Sequence, residues 1–164
     1  MERMQMERSL ATPADAEIIL KLYELRREAL MREARAWVIG EFWPINADAY
    51  FAVALNPADP HNAFLRQVTS YWEMAAAMVL HGAVSPELFV DCNAEGFFLL
   101  AKFAPFLEDI RQKSPTFMQK TSEMVKRFTA AAARFEAAQK NVESLRSRLQ
   151  QATNAPQYAY SQKA

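Results

Sequence analysis

Two histidines, one cysteine and scattered carboxylates are the groups in this chain from which a reactive or metal-binding centre could be built. Carboxylate-bridged metal sites in helical bundles use Glu-x-x-His, which turns both ligands onto one inward face. Met78 stands three residues before His81 and Ala58 three before His61, so neither histidine sits in that motif. A looser ligand set is Glu73, His81, Asp91 and Glu95. The better reading of His81 is a residue in the last turn of its helix, where imidazole favours the negative dipole end or bonds a free carbonyl. His61 falls in a first turn near solvent. Asp91-Cys92 invites a nucleophile reading, but a reactive thiol needs a cation or a helix N-terminus beside it. Cys92 reads as mid-helix next to an acid, hence as a small buried thiol.

There is no Gly-rich phosphate loop, nucleophile elbow or zinc spacing. With three glycines in all, close backbone approach to a phosphate is hardly possible. The expectation is a non-enzymatic protein with no metal and no cofactor. Aromatic residues crowd Trp37–Trp43 and Phe97–Phe106. Trp72, Phe97 and Phe103 are candidates to line a pocket for an apolar small molecule or lipid, although aromatics at helical spacing are core far more often.

The elements that position these residues follow from composition. The 164 residues suffice for one domain with a real core, and 51% apolar content argues against disorder. Few glycines, many Ala and Met, and few β-branched residues favour helix. A lone cysteine excludes an intrachain disulfide. Met1–Leu10 alternates Met with charged residues and lacks the apolar segment of a signal peptide. The apolar runs Met74–Leu80 and Gly96–Ala101 fall short of the roughly 20 residues of a transmembrane helix. A soluble cytoplasmic protein is expected.

Charge is zero overall but uneven. Met1–Glu41 holds seven basic and eight acidic residues, Phe42–Ile110 two and eight, and Arg111–Ala164 ten and three. The middle is therefore acidic and the end basic, able to neutralise one another within or between chains.

The longest stretch without a breaker runs from Ser114, a good N-cap followed by Pro115 at the first helical position, to about Ala152. Read as one helix it spans about 58 Å at 1.5 Å per residue. Phe117, Thr121, Met124, Phe128, Ala131, Phe135, Ala138, Val142, Leu145, Leu149 and Ala152 recur in steps of three and four, a heptad seam. One flank carries Lys120, Arg127, Arg134 and Arg148. The other, Met118, Val125, Ala132, Gln139 and Arg146, is apolar early and polar late. The first half therefore fits a core. The second half, from Phe135 through Ala138, Val142, Leu145 and Leu149, is the candidate interaction seam, with the basic residues as its candidate flank.

Before this stretch, Thr12-Pro13-Ala14-Asp15 starts a helix expected to reach Ile39 or Phe42. Its apolar face is Ile18, Leu22, Leu25, Ala29, Ala36 and Ile39. Asn46 caps a short helix to about Leu55. Asp59-Pro60 opens another that Gly82 closes as a left-handed residue. Ser85-Pro86 starts an aromatic helix that Pro105 breaks, with Gly96 a second weak point. No strand alternation and no internal repeat is found. The fold class expected is all-α: a bundle of five or six helices with long N- and C-terminal members. It should form one domain over residues 12–152, between flexible ends at 1–11 and 153–164.

Tyr71-Trp72-Glu73, the run His81-Gly82-Ala83-Val84-Ser85-Pro86-Glu87-Leu88, and Phe103, Pro105-Phe106, Ile110 and Arg111 resemble an uncharacterised bacterial all-helical family, a domain of unknown function. The resemblance covers about residues 60–112. It implies an all-α fold and no activity. Members of that family often carry an N-terminal membrane segment, which Met1–Leu10 does not supply.

The functional expectation is a self-associating or protein-interaction module using the C-terminal helix. A homodimer or another protein is its partner, and parallel pairing is favoured because an antiparallel pair would oppose the basic flanks. The flank lacks the dense cations and stacking aromatics of nucleic-acid binders, so nucleic acid is not expected. The alternative is an apolar small-molecule or lipid-binding bundle.

Overall fold

The computed structural model describes residues 10–154, and these are all-α. The chain forms α1 (Pro13–Arg27), α2 (Ala29–Ala36), a π-helical turn (Trp37–Glu41), α3 (Ala47–Ala54), α4 (Asn62–Leu80), α5 (Pro86–Cys92) and α6 (Glu95–Phe103). A 3-10 turn (Ala104–Phe106) leads into α7 (Leu107–Lys113), α8 (Gln119–Arg127) and α9 (Thr129–Asn154). The flexible ends expected at 1–11 and 153–164 lie almost wholly outside the described residues.

Local signals acted where expected. Asp15 accepts from the Thr12 amide at 2.6 Å while Thr12 accepts from the Asp15 amide at 3.3 Å, a reciprocal capping box. Asn46 accepts from the Ala49 amide at 2.9 Å, and Ser85 from the Leu88 amide at 3.4 Å. Gly82, at φ +76°, ends α4 in the left-handed region that a side chain would disfavour. Pro105 falls in the 3-10 turn that separates α6 from α7. Asp59 accepts instead from the His61 amide at 2.7 Å, in a turn that delays α4 to Asn62.

The two long helices are each broken, and this is why there are more helices than five or six. The N-terminal one stops at Arg27, where Glu28 turns extended (φ −57°, ψ 143°). Neither Gly nor Pro stands there. The Arg26 carbonyl accepts from Arg35 on α2 at 3.1 Å, so a tertiary contact satisfies the group that a continuing helix would have bonded. The chain then widens into the π turn, in which the Phe42 amide reaches the Trp37 carbonyl at 2.9 Å.

The stretch from Ser114 to Ala152 is not one helix. Ser114 closes α7, its amide bonding the Ile110 carbonyl, and does not cap a new helix. Residues 115–118 form turns ending at Met118, which is left-handed (φ 50°) and buried. Arg111 holds this bend by donating to the Phe117 and Met118 carbonyls and to Ser122. A second break at Phe128 (φ −117°, ψ 127°) separates α8 from α9.

These bends wrap the chain around α4, which packs against α2, α3, α5, α6, α8 and the π turn. Leu65, Val68, Trp72, Ala75 and Val79 of α4 are at most 1% exposed. Gly96 of α6 meets this helix at Trp72, whose atoms would lie 3.4 Å from any added Cβ. Glu73 of α4 also starts α8. Its carboxylate accepts from the Lys120 amide at 2.8 Å, the Thr121 amide at 2.9 Å and the Thr121 hydroxyl at 2.7 Å. A carboxylate from another helix thus does the work of an N-cap, with the dipole in its favour.

Glu73→Ala is expected to lower unfolding free energy by about 2–3 kcal/mol, seen as a lower urea midpoint at unchanged slope. Glu73→Gln, which keeps one acceptor oxygen, should lose less. Coincident curves for wild type and Glu73→Ala would mean that α8 starts without this carboxylate.

Candidate interaction surface

The heptad seam is divided by the fold. α9 lies across α6, α8 and α5, and its near half is covered by its own chain. Ala131 is fully buried, Phe135 and Ala138 are half-buried against the core, and Val142 is 4% exposed. Leu145 is half-buried and Leu149 is 42% exposed. The helix does not leave the bundle at Phe135. It leaves after Arg146, whose guanidinium donates to the Lys102 carbonyl at 2.9 Å and the Pro44 carbonyl at 3.3 Å. Ser147 to Thr153 are all exposed.

The basic flank is not a free stripe. Arg127 donates to the Leu80 carbonyl at 3.2 Å and Arg134 to the Val90 carbonyl at 3.0 Å, at the ends of α4 and α5. These cations answer the negative ends of helices and make no salt bridge with the acidic middle among the described residues. Lys120 sits 3.4 Å from Glu123 on its own helix, and Arg148 bonds the Ser144 carbonyl at 3.4 Å.

The proposed aromatic pocket is solid core. Trp72, Phe97 and Phe103 are at most 1% exposed. Phe103 is ringed by Phe42, Tyr50, Phe106 and Phe117 at centroid distances of 5.4–6.4 Å. Trp72 packs edge-on to Tyr71 and Phe89, and its indole donates to Glu95 at 3.0 Å. These rings pack on one another at ordinary aromatic distances.

The looser polar set is also dispersed into structural duties. Glu95 takes three hydrogen bonds from Arg35, at 2.6–3.0 Å, and these bonds, with its charge, hold the Arg35 guanidinium above its ordinary pKa. His81 is exposed at the end of α4. His61 stacks flat on Trp37, 4.2 Å between centroids. Cys92 is exposed, contrary to the buried mid-helix thiol expected. The reason is that α5 ends at Cys92, where Asn93 turns extended and its side chain bonds back to the Phe89 carbonyl at 3.1 Å.

One functional-looking group escaped the sequence reading. Lys102 is fully buried on α6 with no carboxylate near it among the described residues. Its ammonium donates to the Val38 carbonyl at 2.6 Å and the Ile39 carbonyl at 3.1 Å, inside the π turn, and lies 4.1 Å from the Trp43 ring centre. Arg146 approaches the same ring, at 5.6 Å. Burial, and then the charge of Arg146, push the Lys102 pKa down to about 7. A signal was there: Lys102 is the sole charge between Glu95 and Glu108.

The sequence profile of one family, described as a domain of unknown function (DUF4760), matches residues 11–128. No curated protein and no solved structure matches the chain. No helix among the described residues is long and apolar enough to cross a membrane.

Lys102 gives the fold a pH signature. Between pH 7 and 10.5 the unfolded chain keeps this proton and the folded chain releases it, so stability rises as pH rises through that window. Against Lys102→Met, the wild type is expected to gain about 2–4 kcal/mol between pH 7 and pH 10, read by urea unfolding at each pH. Parallel pH profiles for the two proteins would remove Lys102 as the source.

Proposed function

The chain belongs to the family described as a domain of unknown function (DUF4760), and we propose that it is a non-enzymatic protein-interaction module that self-associates through the free end of α9. The observation that carries this reading is the overhang past Arg146. There Leu149 continues the seam beyond the contacts of Arg146 with Lys102 and Pro44, and it is 42% exposed. An apolar seam that outlasts its own bundle is completed by a second helix.

The charges favour two copies in parallel. In a parallel pair, Arg148 on one helix faces Thr153 of the other, a neutral neighbour; in an antiparallel pair the two Arg148 side chains share one side and repel. Among the described residues fewer than two heptads are free, shorter than the three or four that mark a self-standing coiled coil. The association is therefore weak unless the shoulder of the bundle, next to Pro44 and Arg146, adds contact area. The reading places the protein in the cytoplasm as a bacterial homodimer.

Light scattering is the direct test. The intact chain at tens to hundreds of micromolar is expected to show dimer mass, and a chain truncated after Ser147 is expected to be monomeric with an unchanged melting temperature. Leu149→Glu should weaken the dimer at least tenfold. A monomer at every concentration of the intact chain ends this reading.

A further inference from the structure

A groove of about 530 Å³ lies between the end of α1, the α5–α6 junction and the inner face of α9. Its floor is apolar, with Ile39, Phe98 and Ala138 among its walls. Arg26 enters from α1 and Arg134 from α9, and Asn141 lies two helical turns further along the same face. Neither arginine has a carboxylate partner among the described residues. A guanidinium carries five donors. Arg134 uses one on the Val90 carbonyl, and Arg26 makes one long contact of 3.5 Å to Asn93.

One carboxylate lines the groove, Glu95, and it is neutralised by Arg35 and further bound by the Trp72 indole. The groove therefore holds two guanidinium groups and one carboxylate already paired with Arg35, over an apolar floor. The size fits a small ligand. Guanidinium forks at one end and apolar walls beneath suit a carboxylate on a hydrocarbon chain.

We propose that this groove is a binding site for an anionic amphiphile, a carboxylate with an apolar body, held by Arg26 and Arg134. The carboxylate lies between the two guanidinium groups. The hydrocarbon lies against Ile39, Phe98 and the alanine face of α9. This site is separate from the free end of α9 and does not depend on self-association.

The chain supplies its own reporter. Cys92 is the single cysteine, is exposed and lines this groove. Its alkylation by a maleimide, followed by mass spectrometry on the intact chain, reads occupancy directly. Decanoate below its micellar concentration is expected to slow the reaction at least fivefold, while decanol and decyltrimethylammonium leave it unchanged. Arg26→Gln with Arg134→Gln should raise the decanoate concentration needed for half-protection at least tenfold. Arg134 also closes α5, so Ala137→Trp provides a second variant. Ala137 is exposed on α9 and lines the groove, and the indole should fill it, abolishing the decanoate effect without shifting the melting temperature. No protection by decanoate, equal protection by decanol, or undiminished protection in Ala137→Trp would overturn the proposal. Protection only by anionic phosphatidylglycerol vesicles, and not by free decanoate, would overturn it too, since it would assign the cations to a membrane surface.

Discussion

Each helix leaves its last carbonyls without amide partners, and a chain with three glycines can answer few of them with a left-handed cap. Here basic side chains from other helices answer them. Arg35 takes the Arg26 carbonyl of α1, Lys102 the Val38 and Ile39 carbonyls of the π turn, and Arg127 the Leu80 carbonyl of α4. Arg134 takes the Val90 carbonyl of α5 and Arg146 the Lys102 carbonyl of α6. The same bond that satisfies a helix end also fixes which helix lies beside it. A set of short helices with little glycine therefore becomes one fold through its arginines as well as its core.

This recasts the charge asymmetry of the sequence. The basic end of the chain opposes the acidic middle in number, yet its contacts run mostly to carbonyl dipoles. The acidic middle answers helix starts in the reverse sense: Glu73 holds the first amides of α8. Positive side chains at helix ends and a negative one at a helix start are the two halves of one dipole rule. A guanidinium on a carbonyl keeps its full charge and most of its donors. Arg134 can therefore serve the end of α5 and still present donors to the groove beside it.

What was legible in the sequence was local. The capping box at Thr12, the caps at Asn46 and Ser85, the left-handed Gly82 and the break at Pro105 are each decided within a few residues. So is the all-α class, which follows from composition and periodicity. The breaks at Glu28 and Phe128 were not legible, because neither position carries a breaker and a continuous heptad pattern runs through Phe128. At Glu28 the helix ends because Arg35 offers its carbonyl a better partner, a contact nine residues away in sequence. Ser114-Pro115 shows the converse. It is an excellent helix start locally, and Arg111 with Glu73 moved the start to Gln119. Cys92 was misplaced for a related reason: the weak point was read at Gly96, which packs on Trp72, while the chain turns at Asn93.

The two surfaces left on α9 follow from its having one apolar face and two ends of unequal length. Its near half meets α5 and α6 while the junction at Cys92–Ala94 withdraws from it, and the space between becomes a groove. Its far half would pack equally well on a longer α6, but Pro105 ends that helix and Arg146 closes it at the Lys102 carbonyl. Past that point nothing among the described residues covers Leu149. The seam is thus continuous in sequence and divided in space by a single proline on the opposite helix. That division is why the near residues Phe135, Ala138 and Val142 are covered by the fold while Leu149 stays exposed.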